Sequence, residues 1–549
     1  MKRLPIGIQD FRYMKENNYL YIDKTPYLHM LKDRGKFYFM SRPRRFGKSL
    51  TISTYDCMFR GEKELFKDTW LYDNWAFEPQ PVIRLNMSEL DTRDERRVEE
   101  NIIYLLDELY AIHGIVKDTH MMKMAFATLI KRLYEKYGKR VIVLIDEYDK
   151  PILDHLDDHE MAEKIRTVLR TFYSTLKSSD AYLDFVFITG ITKFTKVGVF
   201  STLNNLQDIS THERYSQMLG YTREEIEDNF NEWIEMGKQA LGTNRETFLE
   251  MIKEQYNGFS FDGIHFVYNP FSILNYLDSF QLENYWVESG SPSFIVKYAE
   301  RHDIQPDQFL GKYLQKSILS TYEIEEAPPV SFLIQAGYLT FKDYKQDAGY
   351  LIDYPNKEVR DTFSELLMVS EYNNNAQEAN AIRENILKAL KQRDFQLLFR
   401  QMQRTLSNIP YTLFEPRQKD TLIETEDEYI QRLEGFYHSV ILTMLWAAGI
   451  NVKAEELKYR ADGVYCSQNK LPSNSVLGIT SDLILEYKQD IYIIELKKQP
   501  PEVSLEQIKN KQYGLKYGNR DLYLVGIEID DESRNVSGYK IEEKYGVDY

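Results

Sequence analysis

The chain reads as α/β, with a doubly wound parallel sheet in its N-terminal half. Three observations lead there. A short aromatic run of strand type, Lys36-Phe37-Tyr38-Phe39-Met40, feeds through a loop into Gly47-Lys48-Ser49 and a helix that starts near Leu50. A second run, Val141-Ile142-Val143-Leu144-Ile145, is wholly apolar and ends in Asp146-Glu147. Such a run fits a strand buried on both faces of a parallel sheet. Around these two, strand-type segments alternate with helical ones, the order that builds a doubly wound sheet.

The first element carries chemistry. Strand, loop, Gly-Lys-Ser and helix form the context that a phosphate-binding loop requires. Backbone N–H groups at the helix start point at the phosphates, and the helix dipole favours an anion there. Lys48 is placed to reach the outer phosphate oxygens and the Ser49 hydroxyl to hold Mg²⁺. The first glycine usual in such a loop is replaced by Arg42. The tight turn must then be made another way, with Pro43 as the candidate.

The following elements are read from periodicity. A strand over 82–86, helices over 97–112 and 122–137, a helix over 160–177 and a strand over 185–189 are predicted. Asp146 and Glu147 stand at the carboxyl end of their strand, where ligands bind in open α/β sheets. Asp146 is expected in the Mg²⁺ shell and Glu147 as the group that polarises the attacking water. Thr189, Thr192 and Lys193 end the 185–189 strand beside the expected phosphates, and Thr189 is a sensor candidate. The nucleotide-binding set is thus Arg45, Phe46, Gly47, Lys48, Ser49, Leu50, Asp146 and Thr189.

Several blocks now converge. Leu4-Pro5-Ile6-Gly7, Tyr21-Ile22-Asp23-Lys24-Thr25, Arg42-Pro43-Arg44-Arg45-Phe46-Gly47-Lys48-Ser49 and Ile145-Asp146-Glu147-Tyr148-Asp149 resemble the AAA-ATPase-like family of prokaryotes. Asn204-Asn205-Leu206-Gln207-Asp208 and Tyr256-Asn257-Gly258-Phe259 resemble its later blocks, so the likeness covers residues 1–290 or so. Arginine at position 42 is usual in that family. The resemblance implies a P-loop NTPase domain over 1–285 that binds and hydrolyses ATP, and it implies no substrate.

Residues 286–375 contain a helix closed by Gly337, a strand, and a returning strand near 350–354 that ends at Pro355. A winged-helix-like module fits that order, read as a lid or interaction surface more than a DNA reader. A polar helical connector then covers 376–419.

The last segment, 420–549, carries the second constellation. Two strand-like runs, 481–487 and 491–497, flank Lys488-Gln489-Asp490. A two-residue turn at Gln489-Asp490 would pair Leu483 with Leu496, Leu485 with Ile494 and Tyr487 with Tyr492 on an apolar core face. The opposite face then gathers Asp482, Glu495 and Lys497. Two carboxylates suit a hard cation, Mg²⁺ or Mn²⁺, and Lys497 suits the nucleophilic water or the charged transition state.

This segment resembles the PD-(D/E)XK nuclease domain that accompanies AAA-ATPase-like proteins. The matching pieces are Gly478-Ile479-Thr480-Ser481-Asp482, Ile493-Ile494-Glu495-Leu496-Lys497 and the helix with Gln507 and Tyr513. Upstream, Glu434-Gly435-Phe436-Tyr437-His438 matches the helix that supplies a further acidic ligand, here Glu434. The resemblance implies an α/β restriction-endonuclease-like domain. Relatives often carry a basic residue just before the aspartate, where this chain has Thr480-Ser481. His438 reads as a packed helix residue.

Composition bounds these readings. At 549 residues the chain exceeds one core, and about three domains are expected. Cys57 and Cys466 are its two cysteines, which excludes a disulfide framework or a cysteine-rich zinc site and fits a reducing compartment. No apolar stretch follows Met1-Lys2-Arg3, and none is long enough to span a bilayer, so a cytoplasmic protein without membrane contact is expected. Net charge is −16, so nucleic acid can be held only by a local basic patch. The candidate patch holds Lys497, Lys498, Lys509, Lys511, Lys516 and Arg520 against Glu502 and Glu506.

Together the two constellations suggest an ATPase whose nucleotide state controls a metal-dependent nuclease acting on DNA or RNA. The alternative is a signalling-type ATP switch whose nuclease-like domain only binds a partner or nucleic acid. ATPases of this general kind borrow an arginine from a neighbouring copy, so a homo-oligomer is compatible with either, with no arginine picked.

Overall fold

The computed structural model describes residues 2–193, 199–200, 203–288, 309–315, 317, 328–370, 376–409, 418–419, 422–423, 426–455, 482–510 and 520–544. The described residues up to Val359 form one compact unit and those from Arg360 onward form another.

In the first unit, β1 (Phe37–Ser41), β2 (Val82–Asn86), β3 (Val141–Asp146), β4 (Leu183–Gly190) and β5 (Gln207–Asp208) form one sheet in the order β2-β3-β4-β1-β5. Every neighbouring pair is parallel. Parallel pairing needs a crossover between strands, and the helices Lys48–Phe59, Glu95–Ile112, Met122–Tyr137 and His159–Ser178 provide it. All five residues of β1 and all six of β3 are buried, as a sheet covered on both faces requires.

Local chemistry sets the helix ends. Asp94 and Asp158 accept hydrogen bonds from Arg97 N (2.9 Å) and Met161 N (3.0 Å), capping the second and fourth of these helices. Gly138, at φ 63°, closes the third. Along Glu95–Ile112 the buried residues are Val98, Ile102, Leu106 and Tyr110, one per turn on a single face.

Register positions the site. Ser41 lies opposite Gly190 and Met40 opposite Thr189, while Ile145 lies opposite Ile188. With β4 between β1 and β3, the loop after Ser41, Thr189 and Asp146 emerge side by side at the carboxyl edge of the sheet.

A smaller three-stranded sheet belongs to the same unit. Helix Pro329–Ala336 ends at Gly337 (φ 92°), followed by the antiparallel strands Thr340–Lys345 and Gly349–Asp353, with Tyr313–Leu314 paired to the latter. This is the helix, strand and returning strand expected of the 286–375 segment; Ser289-Gly290-Ser291 of that segment lie outside the described residues.

The second unit holds a mixed five-stranded sheet in the order Asn451–Glu455, Asp482–Tyr487, Asp490–Lys497, Asp521–Asp530, Asn535–Lys544. Asp490–Lys497 and Asp521–Asp530 run parallel, joined through helix Pro501–Asn510; the other neighbours are antiparallel. Ile484, Ile491, Ile493, Leu505, Ile508, Leu522 and Leu524 form its core under that helix. The segment expected as a polar connector supplies two packed helices, Ala376–Gln392 and Phe395–Ser407. Between them Arg393 reaches Asp490 through both Nε and Nη2 (3.1 and 2.7 Å) and Asp521 at 2.8 Å. Phe395 and Phe399 pack on Tyr539.

The hairpin differs from the expected register. Its turn is Lys488-Gln489, with Lys488 at φ 55°, and Asp490 already belongs to the second strand. Asp482 pairs with Glu495, Leu483 with Ile494 and Leu485 with Tyr492. The slide is two residues, so each side chain keeps its face. The expected division into a core face and an open face does not hold. Leu483, Ile484 and Leu485 are all buried, as is every residue from Asp490 to Leu496. A parallel neighbour and a covering helix bury both faces of a central strand.

Candidate functional site

The phosphate loop is built without a glycine at its start. Left-handed backbone is taken instead by Arg45 (φ 66°) and Gly47 (φ 92°), so the turn is made late in the loop and Pro43 is not its source. Gly47 is required by its conformation, since a β-carbon there would meet nothing within 4 Å. Arg42 does something else. Its buried guanidinium donates to the carbonyls of Ser41 (2.9 Å), Ser210 (2.6 Å) and Tyr215 (3.1 Å) and lies 3.8 Å over the Phe261 ring. It anchors the end of β1 to the segment after β5.

Lys48 opens helix Lys48–Phe59, and its Nζ donates to the carbonyls of Arg42 and Pro43, both at 2.9 Å. Burial pulls its ammonium below the ordinary lysine value, while the charges of Glu147, Asp146 and Asp149 act to keep it protonated. Phe46 is buried against Phe259 and Phe261, which fixes the loop from beneath. Arg45 is exposed, its guanidinium 4.9 Å over Phe271.

Across the sheet edge, Thr189 Oγ1 donates to Asp146 Oδ1 at 2.8 Å, and Glu147 N donates to the same oxygen at 3.0 Å. Glu147 has φ 50°, a left-handed conformation uncommon outside glycine and asparagine. Strain of this kind persists where the surroundings dictate it, and it gathers at functional sites. Tyr148 N bonds back to Thr189 O at 3.0 Å.

Asp149, three residues beyond Asp146, has no role that its place in the sequence reveals. It is 1 % exposed. Its carboxylate accepts from Ile191 N (3.0 Å), Thr192 N (2.6 Å) and Thr192 Oγ1 (2.6 Å). Burial pushes its carboxyl upward, against those hydrogen bonds and the charge of Lys48. Thr192, expected beside the phosphates, is thereby tied to Asp149, and Lys193 pairs with Asp208.

A cavity of about 370 Å³ opens over this loop. Arg44 to Thr51 and Glu147 line one side; Gly7, Ile8, Gln9 and Tyr21 line another, with Gly220, Tyr221 and Phe271. Asp146 and Thr189 do not line it. The N-terminal block and the 218–221 segment come to the site through tertiary folding, which periodicity cannot register.

The second constellation is partly assembled. Glu434, on helix Glu426–Ala447, receives Lys497 Nζ at 3.5 Å and Lys498 N at 3.4 Å. Lys497 Nζ stands 3.8 Å from Glu495, which is fully buried. Asp482 is the cross-strand partner of Glu495; its side chain, and Gly478 to Ser481 and Tyr513, lie outside the described residues. Among the described residues no group of three or more His, Cys, Asp or Glu side chains is arranged to hold a metal. His438, one turn beyond Glu434, is buried, and burial pushes its imidazole down to about 4.

The basic patch is neutralised where it is described. Lys498 pairs with Asp531, Lys509 with Glu542 and Arg520 with Glu486. Lys511 and Lys516 lie outside the described residues. No described helix is long and apolar enough to cross a membrane.

Two comparisons bear on this geometry. A family of predicted AAA-ATPases, AAA-ATPase-like, matches residues 5–200. A protein of Azotobacter chroococcum mcd 1, named as an uncharacterized protein in the vnfD 5' region, is 32% identical over 556 residues, covering 98% of this chain and 99% of that protein.

Proposed function

Residues 5–200 form an AAA-ATPase-like domain, in a chain related along its length to the Azotobacter protein, and from that premise we propose that it binds and hydrolyses ATP at the Lys48 site and uses the nucleotide state to control a nuclease domain over residues 420–549. The observation that carries the first half is the convergence of Lys48, Thr189, Asp146 and Glu147 at one sheet edge.

The residues suit a nucleotide with Mg²⁺. The Ser49 hydroxyl at the helix start and the Asp146 carboxylate are hard oxygen donors, the set this ion prefers. When bound, the ion neutralises charge on the outer phosphates. Lys48 exchanges its two loop carbonyls for phosphate oxygens, which it meets as a buried, desolvated cation. Arg45, Phe46, Gly47, Ser49 and Leu50 shape the loop and helix start against the phosphates, with their N–H groups toward the anion. Glu147, placed at the cavity wall, accepts the proton of the attacking water or orients it. Thr189, hydrogen-bonded to Asp146, reads whether the outer phosphate is present.

The nuclease half rests on Glu495 and Lys497 sharing a strand, Glu434 meeting Lys497, and Asp482 standing opposite Glu495. Glu434, Asp482 and Glu495 offer the oxygen ligands that Mg²⁺ or Mn²⁺ takes, and Lys497 steadies the nucleophile or the transition-state charge. The ion pairs that neutralise the basic patch favour a second reading, a switch whose C-terminal domain binds a partner without cutting nucleic acid.

ATP turnover by the purified full chain tests the first half. Turnover equal to wild type in both Lys48→Ala and Glu147→Gln would remove the ATP site from this position.

A further inference from the structure

The small three-stranded module reaches the nucleotide site at two points, though none of its atoms lines the cavity. Gly337, which closes helix Pro329–Ala336, sits so close to the phosphate loop that a β-carbon on it would lie 2.6 Å from Pro43 Cβ. From helix Tyr285–Glu288, Trp286 Nε1 donates to Arg44 O at 3.2 Å, and its ring lies 5.2 Å from Tyr338. On the far side of the site, Gln335 Oε1 accepts from Lys193 N, just beyond the Thr189 strand. The module thus touches both the backbone that carries Lys48 and the segment that follows the sensor threonine. Trp286, Gln335, Gly337 and Tyr338 all lie beyond the matched positions 5–200.

We infer that Trp286 and Gly337 are positioning residues for the phosphate loop, and that ATP binding at Lys48 and displacement of the small module are coupled through them. The inference rests on the ATP reading given above. Its physical basis is that packed interfaces switch between discrete arrangements and deform little in between. Lys48 now spends its donors on the carbonyls of Arg42 and Pro43. Engaging phosphate releases those carbonyls, and the two residues beside them, Pro43 and Arg44, are the ones the module holds. A change of loop shape therefore has to move Gly337 and Trp286 or be resisted by them. Coupling of this kind is reciprocal, so altering the module must alter nucleotide affinity.

The test uses the full chain. Trp286→Phe keeps an aromatic ring and removes the donor to Arg44 O. ATP affinity is expected to fall by roughly five- to tenfold, the scale of one lost hydrogen bond, with a melting temperature without nucleotide within about 2 °C of wild type. In wild type, hydrogen exchange across residues 329–345 is expected to change on adding ATP with Mg²⁺. This second measurement needs no variant and stands if Trp286→Phe fails to fold. Wild-type binding with unchanged exchange over 329–345, or a folded Trp286→Phe that binds ATP as tightly as wild type, overturns the coupling alone. A wild-type chain that binds no ATP removes the ATP reading and the coupling with it.

Discussion

The hydroxyl of Thr189 donates to Asp146 Oδ1 at 2.8 Å, joining the ends of two adjacent parallel strands. Thr189 can make it because it stands near the end of the strand between β1 and β3. Replacing Thr189 with valine keeps the shape and removes the donor. ATP turnover is expected to fall about tenfold, the scale of a hydrogen bond to a charged group, with ATP affinity little changed. Steady-state kinetics separate the two: a raised KM at unchanged kcat would deny Thr189 its sensing role.

Lys48 and Glu147 should fail in different ways. Lys48→Ala is expected to weaken ATP binding about a hundredfold, since the phosphates lose their charge-assisted contact with a desolvated ammonium. Glu147→Gln should bind ATP as wild type does and turn it over at least about a hundredfold more slowly. Calorimetric titration beside phosphate release distinguishes a binding residue from a chemical one.

Asp149 is expected to carry stability. Asp149→Ala leaves the buried N–H groups of Ile191 and Thr192 without their acceptor. Each orphaned donor costs roughly 1–3 kcal/mol. A urea midpoint equal to that of wild type would show that the loop repairs itself.

His438 predicts a pH dependence in the second unit. Its imidazole titrates at about 4 when folded, against an ordinary 6.5, because burial disfavours the charged form. The unfolded chain therefore takes up a proton at a higher pH than the folded one. The stability this neutral histidine contributes is complete above pH 6.5 and is lost as pH falls toward 4. The loss approaches about 3 kcal/mol over that window. His438→Leu should flatten this part of the curve, and denaturation at pH 7 and pH 5 would reveal whether it does.

Cleavage is the expectation at the second site. Nucleic acid should be cut with Mg²⁺ or Mn²⁺, cutting should stop with a chelator, and Glu495→Ala or Lys497→Ala should abolish it. Cleavage that survives Glu495→Ala places the chemistry elsewhere. A wild type that cuts nothing in any nucleotide state favours the partner-binding switch.

Much of the first unit was legible because its signals are local. The apolar run over 141–145 is short and β-branched, as a buried strand is, and Gly47-Lys48-Ser49 sits between a strand-type run and a helix. Asp149 was not given a role, because its partners lie more than forty residues away and an aspartate after a strand looks the same whether buried or solvated. Arg42 misled in another way. A missing glycine suggested that a neighbour must make the same turn, whereas the left-handed residues are Arg45 and Gly47 and the arginine anchors the strand end. The hairpin register went wrong because alternation constrains parity only: apolar residues on both faces of 483–485 and 491–494 satisfy any even slide.

That parity also sets what the hairpin can tolerate over evolutionary time. Glu495 and Lys497 lie on the same side of their strand because they are two residues apart. Lengthening the Lys488-Gln489 turn by a pair of residues slides the strands past each other and keeps this side facing the same layer. A single inserted residue between the turn and Glu495 would send its carboxylate through the sheet to the opposite layer. Insertions within Asp490–Lys497 should therefore be counted in twos among functional descendants of this chain.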